Sequence, residues 1–381
     1  MKLSISSWAL AAGIVSLVAP MAWANEDDAD EMVREGIRQI LSAEKEQLWY
    51  EGVYRVRGEV PLGYRAGGTA IACTALLAAP WVGKEEARQA KIEGGLDFIL
   101  ESLDHPLLSA EYPGGYDVRG WAHIYVLEFL VRFNDSDRLP RGRRGEIDEG
   151  IRFCVEALEQ TEIPGAGGWN YSRSRVATQS SPPSSMMTAA AVLALIRARK
   201  AGADVDPEVV VRAMDALERG RVSSGAFQYS VNPDRVLPKG FDSVPGAIAR
   251  TPICEVALYL GNRGTVERIR KSVDDFFEHW KHLENRRKQA GTHAPPYMIA
   301  PYYFFFGHRY AAEAIEFLPA EEREAYRGRM RDLLVKVRDA DGTWNDRVFP
   351  RSKNYSTAMA VLSLTCPVRS RPPRWAKRRV Y

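Results

Sequence analysis

Apolar positions along this chain fall into two alternating kinds of segment. One kind is amphipathic: Asp30–Leu48 carries Met32, Ile37, Ile40 and Leu41 on a helical stripe flanked by charge. The other kind is apolar nearly all round, as in the run from Met186 to Leu195. Amphipathic segments at 30–48, 84–102, 144–160, 207–219, 265–283 and 320–338 each lead into an apolar one. The apolar partners fall at about 69–79, 120–132, 184–200, 246–261, 297–316 and 353–365. Local signals set several ends. Pro80 stops the first apolar helix, Gly202 suits the C-terminal cap of the third, and Asp206-Pro207 starts the fourth amphipathic helix.

Aligned at Thr69, Ala122, Thr188, Thr251, Phe304 and Thr357, the apolar helices recur at steps of 53, 66, 63, 53 and 53 residues. A recurrence of this length marks a repeat architecture, in which each helix pair buries its apolar face against its neighbours. Charged, amphipathic helices belong to a solvated outer layer, and helices apolar all round to a buried inner one. The pattern predicts an all-α fold, an (α/α)6 toroid of six helical hairpins with inner and outer rings. The competing architecture is an open superhelix, whose usual units are shorter, about 34 to 47 residues.

The ends of the chain read differently. Lys2, the compact apolar stretch Trp8–Pro20 and the small-x-small Ala22-Trp23-Ala24 form a signal-peptide pattern. The apolar run is short for a bilayer core of about 30 Å, and no later stretch is apolar enough to span one. Residues 1–24 are therefore expected to direct export to the periplasm or beyond, with 25–366 as the toroid and 367–381 as a basic, Pro-containing tail. Such a tail is expected to be solvated.

Composition narrows the partners. With 45% hydrophobic and 27% charged residues the chain can bury a large core, and a net charge of +3 gives no reason to expect nucleic acid. An apolar small molecule or another protein is the partner class left. No cofactor is indicated. Cys73, Cys154, Cys254 and Cys366 form no Cys-x-x-Cys pair, and Cys73 and Cys254 sit in apolar helices, where a thiol behaves as a small hydrophobe. Buried, unpaired thiols are expected.

The links from outer to inner helix read Gly114-Gly115-Tyr116-Asp117, Gly167-Gly168-Trp169-Asn170-Tyr171-Ser172, Gly225-Ala226-Phe227-Gln228-Tyr229-Ser230 and Gly342-Thr343-Trp344-Asn345. They resemble the repeat of the squalene–hopene cyclase and protein prenyltransferase superfamily. That resemblance covers most of the chain after the leader and implies a toroid handling terpenoid or prenyl groups. The glycines permit tight turns, and the aromatic rings are expected to pack over helix ends.

The chain departs from the chemistry this resemblance implies. Cyclases of the superfamily that protonate an alkene use Asp-x-Asp-Asp; here the nearest string, Asp204-Val205-Asp206-Pro207, lacks the last acid and reads as a helix start. Protein prenyltransferases build a zinc site from Asp, Cys and His. Cys254-Glu255 has no Asp close before it and no His follows in 354–364, so no metal is expected there. Asp274-Asp275-Phe276-Phe277-Glu278 imitates a magnesium-diphosphate motif but lies on an outer helix, as do Asp275, His279 and His282 at helical spacing.

Parallel inner helices would gather their N-termini at one mouth, where their dipoles favour an anion. The candidate catalytic groups are Asp117, His123, Asp242, Glu255 and Asp346. The candidate ligand-binding groups are Tyr116, Trp169, Tyr171, Arg250, Tyr302, Tyr303, His308, Trp344 and Tyr355. Glu128 and Glu255 are carboxylates within apolar helices, which cost free energy unless paired. Three readings follow: a non-catalytic lipid- or protein-binding scaffold, a terpenoid or prenyl-handling enzyme, and a carbohydrate-active hydrolase or lyase. Hydrolysis would need two carboxylates roughly 5–10 Å apart. N-terminal sequencing of the exported form is expected to begin at Asn25; an uncleaved Met1 terminus in that fraction would contradict the leader assignment.

Overall fold

The computed structural model describes residues 26–43, 61–80, 85–111, 118–170, 182–232 and 240–375. Among these residues there are α-helices, short 3-10 turns and three isolated antiparallel bridges, and no strand. The outer helices are α1 (Glu26–Ser42), α3 (Glu85–Leu103), α5 (Arg144–Thr161), α7 (Pro207–Gly220), α10 (Val266–Glu284) and α12 (Ala320–Lys336). The inner helices are α2 (Leu62–Ala78), α4 (Arg119–Asn134), α6 (Ser185–Lys200), α8 (Val244–Ala247) continued by α9 (Thr251–Leu260), α11 (Tyr303–Ile315) and α13 (Lys353–Leu364).

The inner helices touch in the order α2, α4, α6, α9, α11, α13, and α13 returns onto α2. The ring closes, which rules out the open superhelix. Helix α6 buries Ser185 through Ala198 without a break, whereas outer α12 buries Gly328, Met330 and Leu334 alone. Burial thus follows the two helix classes seen in the sequence.

Two inner helices differ from their expected spans, each because of proline. The fifth was expected from Tyr297 but begins at Tyr303; Pro301 removes a backbone donor and biases Ala300 away from helical geometry. The fourth, expected unbroken from Gly246, is interrupted between Ala247 and Thr251, just before Pro252.

The Gly-aromatic links lock outer helices to inner ones. Trp169 Nε1 donates to Leu158 O in the last turn of α5 at 2.8 Å, and Trp344 Nε1 to Leu334 O in the last turn of α12 at 2.9 Å. Each indole satisfies a carbonyl that the helix end leaves open. The Trp backbone N–H groups donate to Thr188 Oγ1 at 3.1 Å and Thr357 Oγ1 at 3.2 Å on the next inner helix. Gly168 makes this approach possible: its φ is +72°, and a Cβ there would lie 2.5 Å from Thr188 Oγ1.

The bore of the ring is crossed by charge. In ring order α4 lies opposite α11, and Glu128 of α4 pairs with Arg309 of α11 across the axis. Glu128 also accepts from Arg132 Nε at 3.1 Å and lies 3.8 Å from Arg197 of α6, which pairs with Glu313 of α11. The Tyr310 and Tyr125 hydroxyls meet at 3.4 Å beside this network. Burial would raise the Glu128 carboxyl, but Arg309, Arg132 and Arg197 hold it well below the ordinary carboxylate range.

The tail is exposed along most of its described length, as expected, but its backbone is anchored. From Arg369 to Trp375 it is packed across the C-terminal ends of the inner helices. Arg371 Nη1 donates to Glu316 O at 2.6 Å, Trp375 N to Leu260 O at 2.7 Å, and Arg199 stacks over the Trp375 ring at 4.1 Å. Open helix carbonyls and the negative ends of the helix dipoles hold the basic segment there. All four cysteines are free and buried, and burial pushes the Cys73 thiol up to about 12. Among the described residues no helix is long and apolar enough to cross a membrane.

Glu128→Gln is expected to cost about 3–5 kcal/mol of unfolding free energy, because it strands buried guanidinium groups. Equilibrium denaturation in urea measures this. A change below about 1 kcal/mol would show that the network does not hold the bore together.

Candidate functional site

The candidate site lies at the end of the ring where the inner helices start. There the link preceding α9, the link preceding α11 and the tyrosines opening α11 converge. His293 Nε2 lies 3.0 Å from Tyr303 Oη and 3.2 Å from Tyr302 Oη, and Tyr302 Oη lies 3.2 Å from Tyr229 Oη. Phe241 completes the cluster, its ring 4.8 Å from His293 and 5.3 Å from Tyr229. Tyr229, Tyr302 and His293 are half-buried, while Tyr303 is fully enclosed. Burial, reinforced by Arg250 and Arg286, lowers His293 to about 4, so its ring is neutral at pH 7.

Asp242 positions this group by accepting from Tyr229 N at 2.9 Å. Arg250 beneath it is fully buried, and backbone carbonyls occupy its guanidinium: Phe227 O at 2.8 Å, Gly246 O at 2.8 Å and Phe241 O at 2.5 Å. It fastens the link beneath the tyrosines.

On the other side of Tyr302 lies the link preceding α13. Asp346 is fully buried, and its Oδ1 accepts from Ser356 Oγ at 3.1 Å while its Oδ2 has no partner. Burial, opposed by Arg347 and Ser356, pushes its carboxyl up to about 6. The Arg347 guanidinium sits 5.6 Å from the Tyr302 ring centre, joining the two halves of the mouth. Deeper in the ring, Trp121 packs on Tyr125 at 4.8 Å and faces Tyr355 at 6.3 Å, so Tyr355 lines the bore.

The remaining sequence candidates stand elsewhere. His123 points outward, its Nε2 2.9 Å from Leu108 O and its ring against Phe153 of α5. Glu255 faces α7, paired with Arg221 at 2.5 and 3.0 Å. His308 joins α11 to α10. Trp280 Nε1 can only donate, so His308 Nε2 accepts at 2.8 Å and Nδ1 gives its proton to Phe304 O at 2.7 Å. Trp169 and Trp344 are the buried latches described above. Tyr116, Asp117 and Tyr171 lie outside the described residues.

The sequence reading missed His293 and Arg347. His293 lies between Gly291 and Pro295 in a stretch without periodicity, and Arg347 is one of many arginines. The only available signal was their place in links that feed inner helices.

Two other features carry less. Ligand atoms of Asp275, Glu278 and His279 on α10 lie within 4.8 Å of one another, but both Asp275 carboxylate oxygens are held by Lys271 at 2.8 and 2.9 Å. A cleft of about 230 Å³ lies between α1, α11, α12 and α13, and its rim charges are paired, Arg327 with Glu316 and Arg331 with Glu324.

Comparison with known proteins supports the architecture. A type II terpene cyclase from Scytonema, solved with its product merosterolic acid A, superposes with a TM-score of 0.53 at 15% identity, covering 90% of this chain and 97% of that one. Cellobiose 2-epimerase from Bacillus thermoamylovorans B4167 gives 0.55 at 13% identity, covering 90% and 99%. The GH76A α-1,6-mannanase from Salegentibacter sp. HEL1_6 gives 0.55 at 12% identity, covering 90% and 99%. No family model matches the sequence, and no curated protein matches it significantly. The protein is an (α/α)6 toroid. At these identities the likeness establishes that fold and not the squalene-cyclase and prenyltransferase superfamily in particular.

Acid should destabilise the protein through its neutral histidines. His308 is lowered to about 4 in the fold, chiefly by burial, against an ordinary 6.5. The unfolded chain therefore takes up the proton first as pH falls. The stability is present above 6.5 and is lost toward 4, on the order of 2–3 kcal/mol. Asp346, raised in the fold, acts oppositely and contributes stability below its ordinary value that is lost as pH rises through about 6. Melting temperatures from pH 7 to 4.5 are expected to fall less steeply in His308→Gln and more steeply in Asp346→Asn than in the parent. Parallel curves for all three would contradict these assignments.

Proposed function

We propose that this protein is an exported toroid that holds a ligand at its mouth without transforming it. The observation that carries this reading is the Tyr229–Tyr302–His293 cluster. It presents half-exposed aromatic faces and hydroxyls at the end where the inner helices begin. Aromatic faces with a few fixed polar groups are the usual lining of a small-molecule site. The carboxylates serve support roles: Glu255 pairs with Arg221, Asp242 holds Tyr229 N, and Glu128 bridges the bore. Below the mouth the bore carries charge pairs, which suits a ligand seated near the rim better than an apolar chain threaded down the axis.

The second reading is a carbohydrate-active enzyme. It is favoured by one observation: the Asp346 carboxyl is pushed up to about 6 by burial and has a free oxygen, as expected of a proton donor. Native mass spectrometry of protein purified from the exported fraction separates the two. The binding reading expects a co-purified small molecule that is lost in Tyr302→Ala. Turnover of an oligosaccharide panel that is abolished in Asp346→Asn would replace binding by catalysis.

A further inference from the structure

We propose that Arg347 is the anchor for the carboxylate of an organic acid with an apolar body, bound at the mouth. This rests on the mouth being the binding end. Arg347 is 3% exposed, yet its Nε and Nη2 have no hydrogen-bond partner, and no carboxylate lies in ion-pair contact with it. A buried guanidinium whose hydrogen-bonding edge is unfilled is costly, so its retention calls for an anion that is not part of the chain.

The free atoms define the ligand chemistry. Nε and Nη2 form one edge of the guanidinium plane, the edge that takes two oxygens of a carboxylate in parallel hydrogen bonds. Three other buried arginines are held within the chain: Arg250 by backbone carbonyls, Arg309 by Glu128 and Arg197 by Glu313. The rings of Tyr302 and Phe349 both lie 5.6 Å from the Arg347 guanidinium carbon, so the apolar body of a ligand can pack on rings beside the charge.

Charge at the site favours a monoanion. Asp346 next to it, pushed up to about 6 by burial, is still mostly ionised at pH 7, so it offsets part of the arginine's charge and repels a dianion more than a monoanion. The N-terminal ends of the inner helices add positive potential. A single bidentate arginine beside a carboxyl group suits a carboxylate better than a phosphate.

Dodecanoate, dodecyl phosphate and dodecanol serve as probes against the full chain, with calorimetry and thermal shift as readouts. Dodecanoate is expected to bind and to raise the melting temperature, with dodecyl phosphate weaker. Dodecanol, and dodecanoate on Arg347→Met, should each be weaker by roughly ten- to a hundredfold. Without ligand, Arg347→Met should melt at or above the parent, because it removes an unpaired buried charge. Three results would overturn the proposal: dodecanol binding as well as dodecanoate, equal thermal shifts in parent and variant, or a melting temperature several degrees lower in the unliganded variant. The two readings fail separately: binding that depends on Tyr302 but not on Arg347 leaves the mouth intact and removes the carboxylate anchor. Absence of Tyr302-dependent binding removes both.

Discussion

The ion pair between Glu128 and Arg309 spans the ring between opposed inner helices, and the rest of the architecture depends on it. A closed ring of six inner helices leaves an axis that side chains must fill. Here the filling is charged, and charges withdrawn from water are tolerable only when paired and hydrogen-bonded. Arg132, Arg197 and Glu313 extend the pair to a third helix, so removing one member exposes several others.

The same logic separates the two ends of the barrel. At the base, open carbonyls and negative helix ends collect basic side chains, and the tail supplies them through Arg369, Arg371 and Arg374. At the mouth the helix ends are positive, and the groups gathered there are tyrosines, a neutral histidine and one guanidinium without a partner. At the base these cationic groups contact the chain's own carbonyls. At the mouth the Nε and Nη2 of Arg347 contact no carbonyl or carboxylate among the described residues.

Much of the fold was legible in the sequence, and the reasons are local. Helix class followed from periodicity, so α3, α5, α7, α10 and α12 begin within a residue or so of their expected starts. The Gly-Trp links could be read as girders because an indole beside glycine has few other uses at a helix end, and Trp169 and Trp344 serve that purpose. Proline misled in two places, since an apolar run continues through Pro252 and Pro301 where the backbone does not. The tail is solvated along most of its described length, as its composition suggests, but composition does not reveal the helix carbonyls that anchor it.

The site was less legible because it depends on which residues meet. His293 and Tyr229 are separated by 64 positions, and Tyr302 joins them only once the links before α9 and α11 pack together. Glu128 and Glu255 were equally conspicuous as carboxylates in apolar helices, but one bridges the bore and the other pairs toward the outer layer. Sequence alone determined six hairpins, two layers and the aromatic links, because those follow from repeat spacing and from the polarity of neighbouring residues. Tertiary structure alone decided which charges are cancelled, because pairing depends on distances across the ring that no local pattern encodes.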